Sequence, residues 1–126
     1  MIRIFIDTMF LMMPFQFKVD IFSELDRLFG NYEACISSIT FKELDNIESK
    51  ASKGADKSAV KAVRKLIEQK NLTVIESNEN LVDDFLVENA EDFDFIATQD
   101  KELKKKLKNR TKFIVLRSGK YLENVL

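Results

Sequence analysis

Acidic side chains recur at one kind of place in this chain. Asp7 directly follows the apolar run Ile2-Arg3-Ile4-Phe5-Ile6, and Asp100 follows the apolar run Phe93–Ala97. Between them, Glu43 lies one turn into a helical stretch after Ala34–Ser38, and Asp84 lies near the start of another after Leu72–Ile75. Each has an ordinary local use. Asp7 can begin a turn, Glu43 completes a capping box with Thr40, and Asp100 is a good N-cap. Asp83 and Asp84 both suit the positive end of a helix. Taken together they point to chemistry, because Asp7 closes a strand that reads as buried on both faces. Carboxylates brought within a few ångströms repel, and one must take a proton unless a cation sits among them. A hard divalent ion such as Mg²⁺ or Mn²⁺ satisfies such a cluster, keeps waters and binds phosphate oxygens. That combination suits phosphodiester hydrolysis.

The residue inventory narrows the choice further. There is no His and a single Cys, Cys35. A zinc site would have to be nearly all carboxylate, which zinc rarely uses. Ser-His and Cys-His nucleophile schemes lack their base. Any acid–base or metal chemistry must therefore run on Asp, Glu, Lys or Tyr. One cysteine also excludes an internal disulfide and fits a reducing compartment.

The elements that must position these acids can be read from periodicity. Apolar runs predict strands at Ile2–Ile6, Ala34–Ser38, Leu72–Ile75, Phe93–Ala97 and Phe113–Leu116. Helical spacing predicts helices over Val19–Phe29, Thr40–Glu48, Asp56–Lys70, Asn80–Ala90 and Asp100 to about Leu107, with Ser49–Ala55 as a loop. Strands that are near-continuous apolar runs, alternating with helices, indicate a three-layer α/β/α fold with a mainly parallel sheet of about five strands. Right-handed crossovers then bring the carboxyl ends of the strands, and with them the acids, to one edge. Ligands of open α/β sheets bind at that edge.

The chain of 126 residues fits one domain, 1–126, with 45% hydrophobic and 33% charged residues. Asp7 and Pro14 break the apolar opening, so it does not read as a signal peptide, and no run is long enough to span a membrane. A cytoplasmic location is expected.

The same residues carry a resemblance. "IFIDT" with Asp7, "SITFKELDNI" with Glu43, "NLVDDFLVENA" with Asp84 and "FIATQDKELKKKL" with Asp100 resemble the PIN domain, in the branch that includes archaeal and ribosome-biogenesis proteins. The resemblance implies a Mg²⁺- or Mn²⁺-dependent endoribonuclease with Asp7, Glu43, Asp84 and Asp100 as its acidic metal-binding and catalytic quartet. Asp83 competes for the third place; Asp84 is preferred because "DFLVENA" parallels the family's Asp followed by an apolar helix and a small residue. Thr98 matches a threonine that supports the family's site. The branch often carries Asn two positions after the first acid, where this chain has Met9. The resemblance also implies a homodimer, and leaves open ribosomal-precursor processing, RNA quality control, or a toxin held by an antitoxin protein.

RNA needs cations beside an acidic centre. Lys101, Lys104, Lys105 and Lys108 share one face of the last helix and begin next to Asp100, so they are the expected phosphate contacts. Lys57, Lys61, Arg64 and Lys65 form a second basic face that also suits plain solvation. Phe10, Phe15 and Phe17 can stack on bases, or serve as core or dimer contacts together with Met9, Met12 and Met13. Two readings from other classes compete: a non-catalytic module that binds RNA or protein on the same fold, and a phosphoacceptor receiver domain. The receiver fits poorly, because it needs an acidic pair after the first strand and Asp7 stands alone.

Overall fold

The computed structural model describes residues 1–51 and 54–125, with Ala55 described by its backbone alone. The strand after the N-terminal methionine, β1 (Ile2–Ile6), is the middle of a six-stranded sheet. It pairs in parallel with β2 (Tyr32–Ser37) on one side and with β4 (Phe95–Ala97) on the other. β3 (Thr73–Ile75) lies outside β2, and β5 (Lys112–Arg117) lies outside β4, both parallel. The strand order is β3-β2-β1-β4-β5-β6, so it reverses direction between β1 and β4.

Alternation along β1 explains the two covered faces. Ile4 and Ile6 point to one side, where they meet α1 (Thr8–Phe17), α2 (Ile21–Phe29) and α4 (Gly54–Gln69) through Leu11, Leu25, Val60 and Val63. Phe5 points to the other side, against Phe85 of α5 (Val82–Asn89) and with Leu103 of α6 (Lys101–Lys106) in the same cluster. A short 3-10 turn, Ala90–Asp92, follows α5, and Phe93 just beyond it meets Phe5 edge-on at 5.2 Å. Among the described residues no helix is long and apolar enough to cross a membrane.

Four features depart from the sequence expectation. α1 was not expected, because Pro14 sits inside it and its residues are nearly all apolar, leaving no polar stripe to mark a helical period. β6 (Tyr121–Val125), antiparallel to β5, makes the sheet one strand larger. Its turn is built on Ser118 and Gly119, both with positive φ (56° and 64°), and closed by a hydrogen bond from Lys120 N–H to the Arg117 carbonyl at 3.0 Å. Arg117 pairs with Tyr121, so three residues make the connection, and the Ser-Gly pair was a legible signal for a turn there. The expected loop at 49–55 is shorter: helix runs to Lys50 and resumes at Gly54, while residues 52 and 53 lie outside the described residues.

The fourth departure bears on the site. α3 (Ser38–Lys50) is capped by Ser37, not by the expected box of Thr40 and Glu43. Ser37 Oγ accepts from Ile39 N–H at 3.2 Å, and Ser37 N–H donates to Thr40 Oγ1 at 3.2 Å. Both side chains are fully buried, so no water can replace either bond. Ser37→Ala is expected to cost about 1 kcal/mol of stability, measured by urea denaturation. With Ser37 and Thr40 serving as the cap, Glu43 is released for other contacts.

Candidate active site

Asp7 leaves β1 on a backbone hydrogen bond to the Ala97 carbonyl of β4, 3.0 Å long, which extends the β1–β4 ladder by one residue. The chain then turns into α1, leaving the Asp7 carboxylate at the carboxyl end of the sheet where strand order reverses. It is buried, with 9% of its surface exposed. Thr98, just past β4, is fully buried beside it. The Thr98 hydroxyl donates to Asp7 Oδ2 at 2.9 Å and accepts from the Asp100 N–H at 3.1 Å. One hydroxyl therefore fixes both acids relative to each other.

Asp100 is the N-cap of α6, as expected. Its Oδ1 accepts from the N–H groups of Glu102 and Leu103, at 2.9 and 3.2 Å. Glu43 reaches across from α3: Oε1 accepts from the Thr8 hydroxyl at 2.6 Å and Oε2 from the Val82 N–H at 3.2 Å. Glu43 thereby ties the start of α1 to the start of α5, one residue before Asp83. Thr8 was missed in the sequence, although its place directly after Asp7 in "IFIDT" was a signal.

Asp7, Glu43, Asp83 and Asp100 line one cavity of about 270 Å³, with Thr8 and Met9. Asp84, the preferred third acid from the sequence, is elsewhere: it lines a separate cavity with Glu79, Val87, Glu88 and Lys106. The cause is helical geometry. α5 starts at Val82 behind Leu81, not behind Asn80, and adjacent helical residues point about 100° apart. Burial of Val82, Phe85 and Leu86 then leaves Asp83 half-buried toward the other acids and Asp84 exposed.

The electrostatics confirm that the cluster is short of positive charge. Burial, opposed by the Thr98 hydrogen bond and reinforced by Asp83 and Glu43, pushes the Asp7 carboxyl up to about 6. Burial also raises Asp83, with Asp100 the next cause and Lys106 acting against it. Among the described residues, none of the six ion pairs involves Asp7, Glu43, Asp83 or Asp100. Nor do three of the acids, among the described residues, come close enough to chelate one ion unaided. Magnesium does not require that, since it is commonly held by one or two carboxylates and keeps several waters. All-oxygen donors with a deficit of positive charge fit Mg²⁺ or Mn²⁺.

The basic residues are placed unevenly. Lys101, Lys105 and Lys108 are exposed and Lys104 half-exposed, with Lys105 near Glu102 at 3.9 Å. Lys106, not singled out in the sequence, is the cation that acts on Asp83. On α4, Arg64 is paired with Asp45, so that face is partly neutralised.

A family model described as a PIN like domain matches residues 4–119, and the chain belongs to that family. Among solved structures, the PIN domain endonuclease Utp24 is similar at a TM-score of 0.76 and 19% identity, over 97% of this chain and 90% of that one. The chain shares the fold of that endonuclease. No curated protein sequence is significantly similar to it.

Proposed function

We propose that this protein is a Mg²⁺- or Mn²⁺-dependent endoribonuclease. The observation that carries the reading is the single cavity lined by Asp7, Glu43, Asp83 and Asp100 at the sheet's switch point, with no basic side chain paired to any of them among the described residues. Family membership and the likeness to a PIN endonuclease support it. RNA as substrate rests on the motif resemblance around Asp7, Glu43 and Asp100.

In this reading one or two of Asp7, Asp83 and Asp100 would touch the cation directly and the rest through its waters, with Glu43 orienting the start of α5 and facing the same cavity. The bound ion would supply Lewis-acid stabilisation of the phosphate and lower the pKa of a water. The protein's part is positional. Thr98 holds Asp7 and the start of α6 in register, and Thr8 holds Glu43. Burial raises Asp7 and Asp83 in the protein without a cation, and a bound cation would offset that shift by favouring their charged forms. Lys101, Lys104 and Lys105 of α6, with Lys108 in the turn beyond it, would hold the flanking phosphates without reading sequence.

The test is cleavage of single-stranded RNA that needs Mg²⁺ or Mn²⁺, stops on chelation and is absent in Asp7→Asn of intact fold. Cleavage that survives both treatments would refute the proposal. Removing the hydroxyl that joins two of the acids should have a graded effect. Thr98→Val is expected to lower kcat/KM about 10- to 100-fold, as loss of a supporting partner in a metal site commonly does, and to raise the cation concentration needed for half-maximal rate.

A further inference from the structure

A second cavity, of about 390 Å³, adjoins the acidic one and shares Asp7, Met9 and Asp100 with it. Its remaining walls come from α1 (Phe10, Met13, Gln16 and Phe17) and from Gln99. We propose that this cavity is a nucleobase pocket, which seats one base of a single-stranded RNA next to the phosphate held at the acids. The proposal rests on the nuclease reading of the neighbouring cavity.

The chemistry of the walls selects the occupant. Away from Asp7 and Asp100 the lining carries no charge, so it suits a neutral group, while the shared acids mark where an anion-bound cation would lie. A neutral, flat group one sugar away from a phosphate is a nucleobase. Thioethers and aromatic rings offer polarizable surface to a base's π-face. Phe17 and Met9 are 51% and 53% exposed, which leaves both free to receive a ring. Phe17 is backed by the β5–β6 turn: a Cβ at Gly119 would stand 3.5 Å from its ring Cδ1. Gln99 is a fixed wall, because its amide exchanges hydrogen bonds with the Leu116 main chain at 2.8 and 3.4 Å. Gln16 is exposed, and its amide has no hydrogen-bond partner among the described side chains, so it is free to meet a base edge. The volume lies within the range of small-ligand pockets. With one adaptable amide and mostly apolar walls, the pocket accepts bases by stacking and discriminates weakly among them. It also gives Met9 a role: the residue lines both cavities.

The test separates this pocket from the chemistry next to it. Single-stranded RNAs carrying one 2-aminopurine, walked along the sequence, are titrated with protein in chelator, where no turnover occurs. One position is expected to change its fluorescence on binding, and Phe17→Ala is expected to abolish that change and weaken Kd about tenfold. Removing the base at that position should weaken wild-type binding by the same factor and Phe17→Ala binding no further, because both remove one contact. Gln16→Ala, on an exposed side chain, should weaken binding by a smaller factor. Equal affinity for intact and base-less RNA would overturn the pocket, as would no RNA binding at all. So would a dimer that Phe17→Ala converts to monomer with RNA affinity unchanged, since the face would then be an interface between copies. Base-dependent binding without metal-dependent cleavage would sink the nuclease reading and leave the pocket; cleavage indifferent to the base would do the reverse.

Discussion

Asp7→Asn should abolish metal-dependent cleavage and, in the metal-free protein, raise thermal stability. The first half follows from position. Loss of a mere supporting partner costs about 10- to 100-fold, so loss of a carboxylate proposed to hold the cation should cost more than about 100-fold in kcat/KM. The amide keeps the shape and can still accept the Thr98 hydroxyl, so the fold is retained and the loss reports on charge. The second half follows from burial. The native carboxyl is raised from 3.8 to about 6, which converts to about 3 kcal/mol. For this group the native state binds more protons than the unfolded chain between those values. Its contribution to stability is therefore fully present below about pH 4, falls as pH rises through about 6, and stays absent above. Asparagine has no proton to lose. In chelator, the difference in Tm between Asp7→Asn and wild type should be small at pH 4 and grow to roughly 10 °C at pH 7.5. Added Mn²⁺ should restore the wild type and leave the variant nearly unmoved, since only a protein that binds the ion gains from it. A variant less stable than wild type at pH 7.5 in chelator would contradict this account.

Much of this arrangement was legible because it rests on repeating physics. Ile4, Phe5 and Ile6 alternate into two cores, and a strand buried on both faces cannot end in a carboxylate without reason. Asp100 was placed correctly because an N-cap is a local matter of side chain and backbone. Less legible were features in which the local signal was ambiguous. Thr40 and Glu43 satisfy the capping pattern on paper, yet Ser37 is better placed at the end of β2, and which one caps depends on where the strand stops. α1 hides behind Pro14 and its lack of polar residues. Thr8 and Lys106 act through neighbours far away in sequence, which spacing alone does not reveal.

The choice between Asp83 and Asp84 shows how fine that limit is. "NLVDDF" offers two acids side by side, and Asp84 was preferred because "DFLVENA" parallels the family's Asp followed by an apolar helix and a small residue. On a helix adjacent side chains point about 100° apart, which is the difference between the cavity of Asp7 and Asp100 and the one lined by Glu79 and Glu88. The pair can be separated by experiment. Asp83→Asn should lower kcat/KM more than about 100-fold, as for Asp7. Asp84→Asn, on an exposed position, should stay within about twofold of wild type, the span of an ordinary surface substitution. Stability should separate them as well. Asp83 is held above its ordinary value by burial and by Asp100, so its amide variant should gain Tm in chelator at pH 7.5, in the same direction as Asp7→Asn. The Asp84 amide is expected to show no such gain. Equal loss of activity in both variants would mean that α5 turns in the working enzyme; loss in Asp84→Asn alone would mean that the cavity described here is not where the phosphodiester is cut.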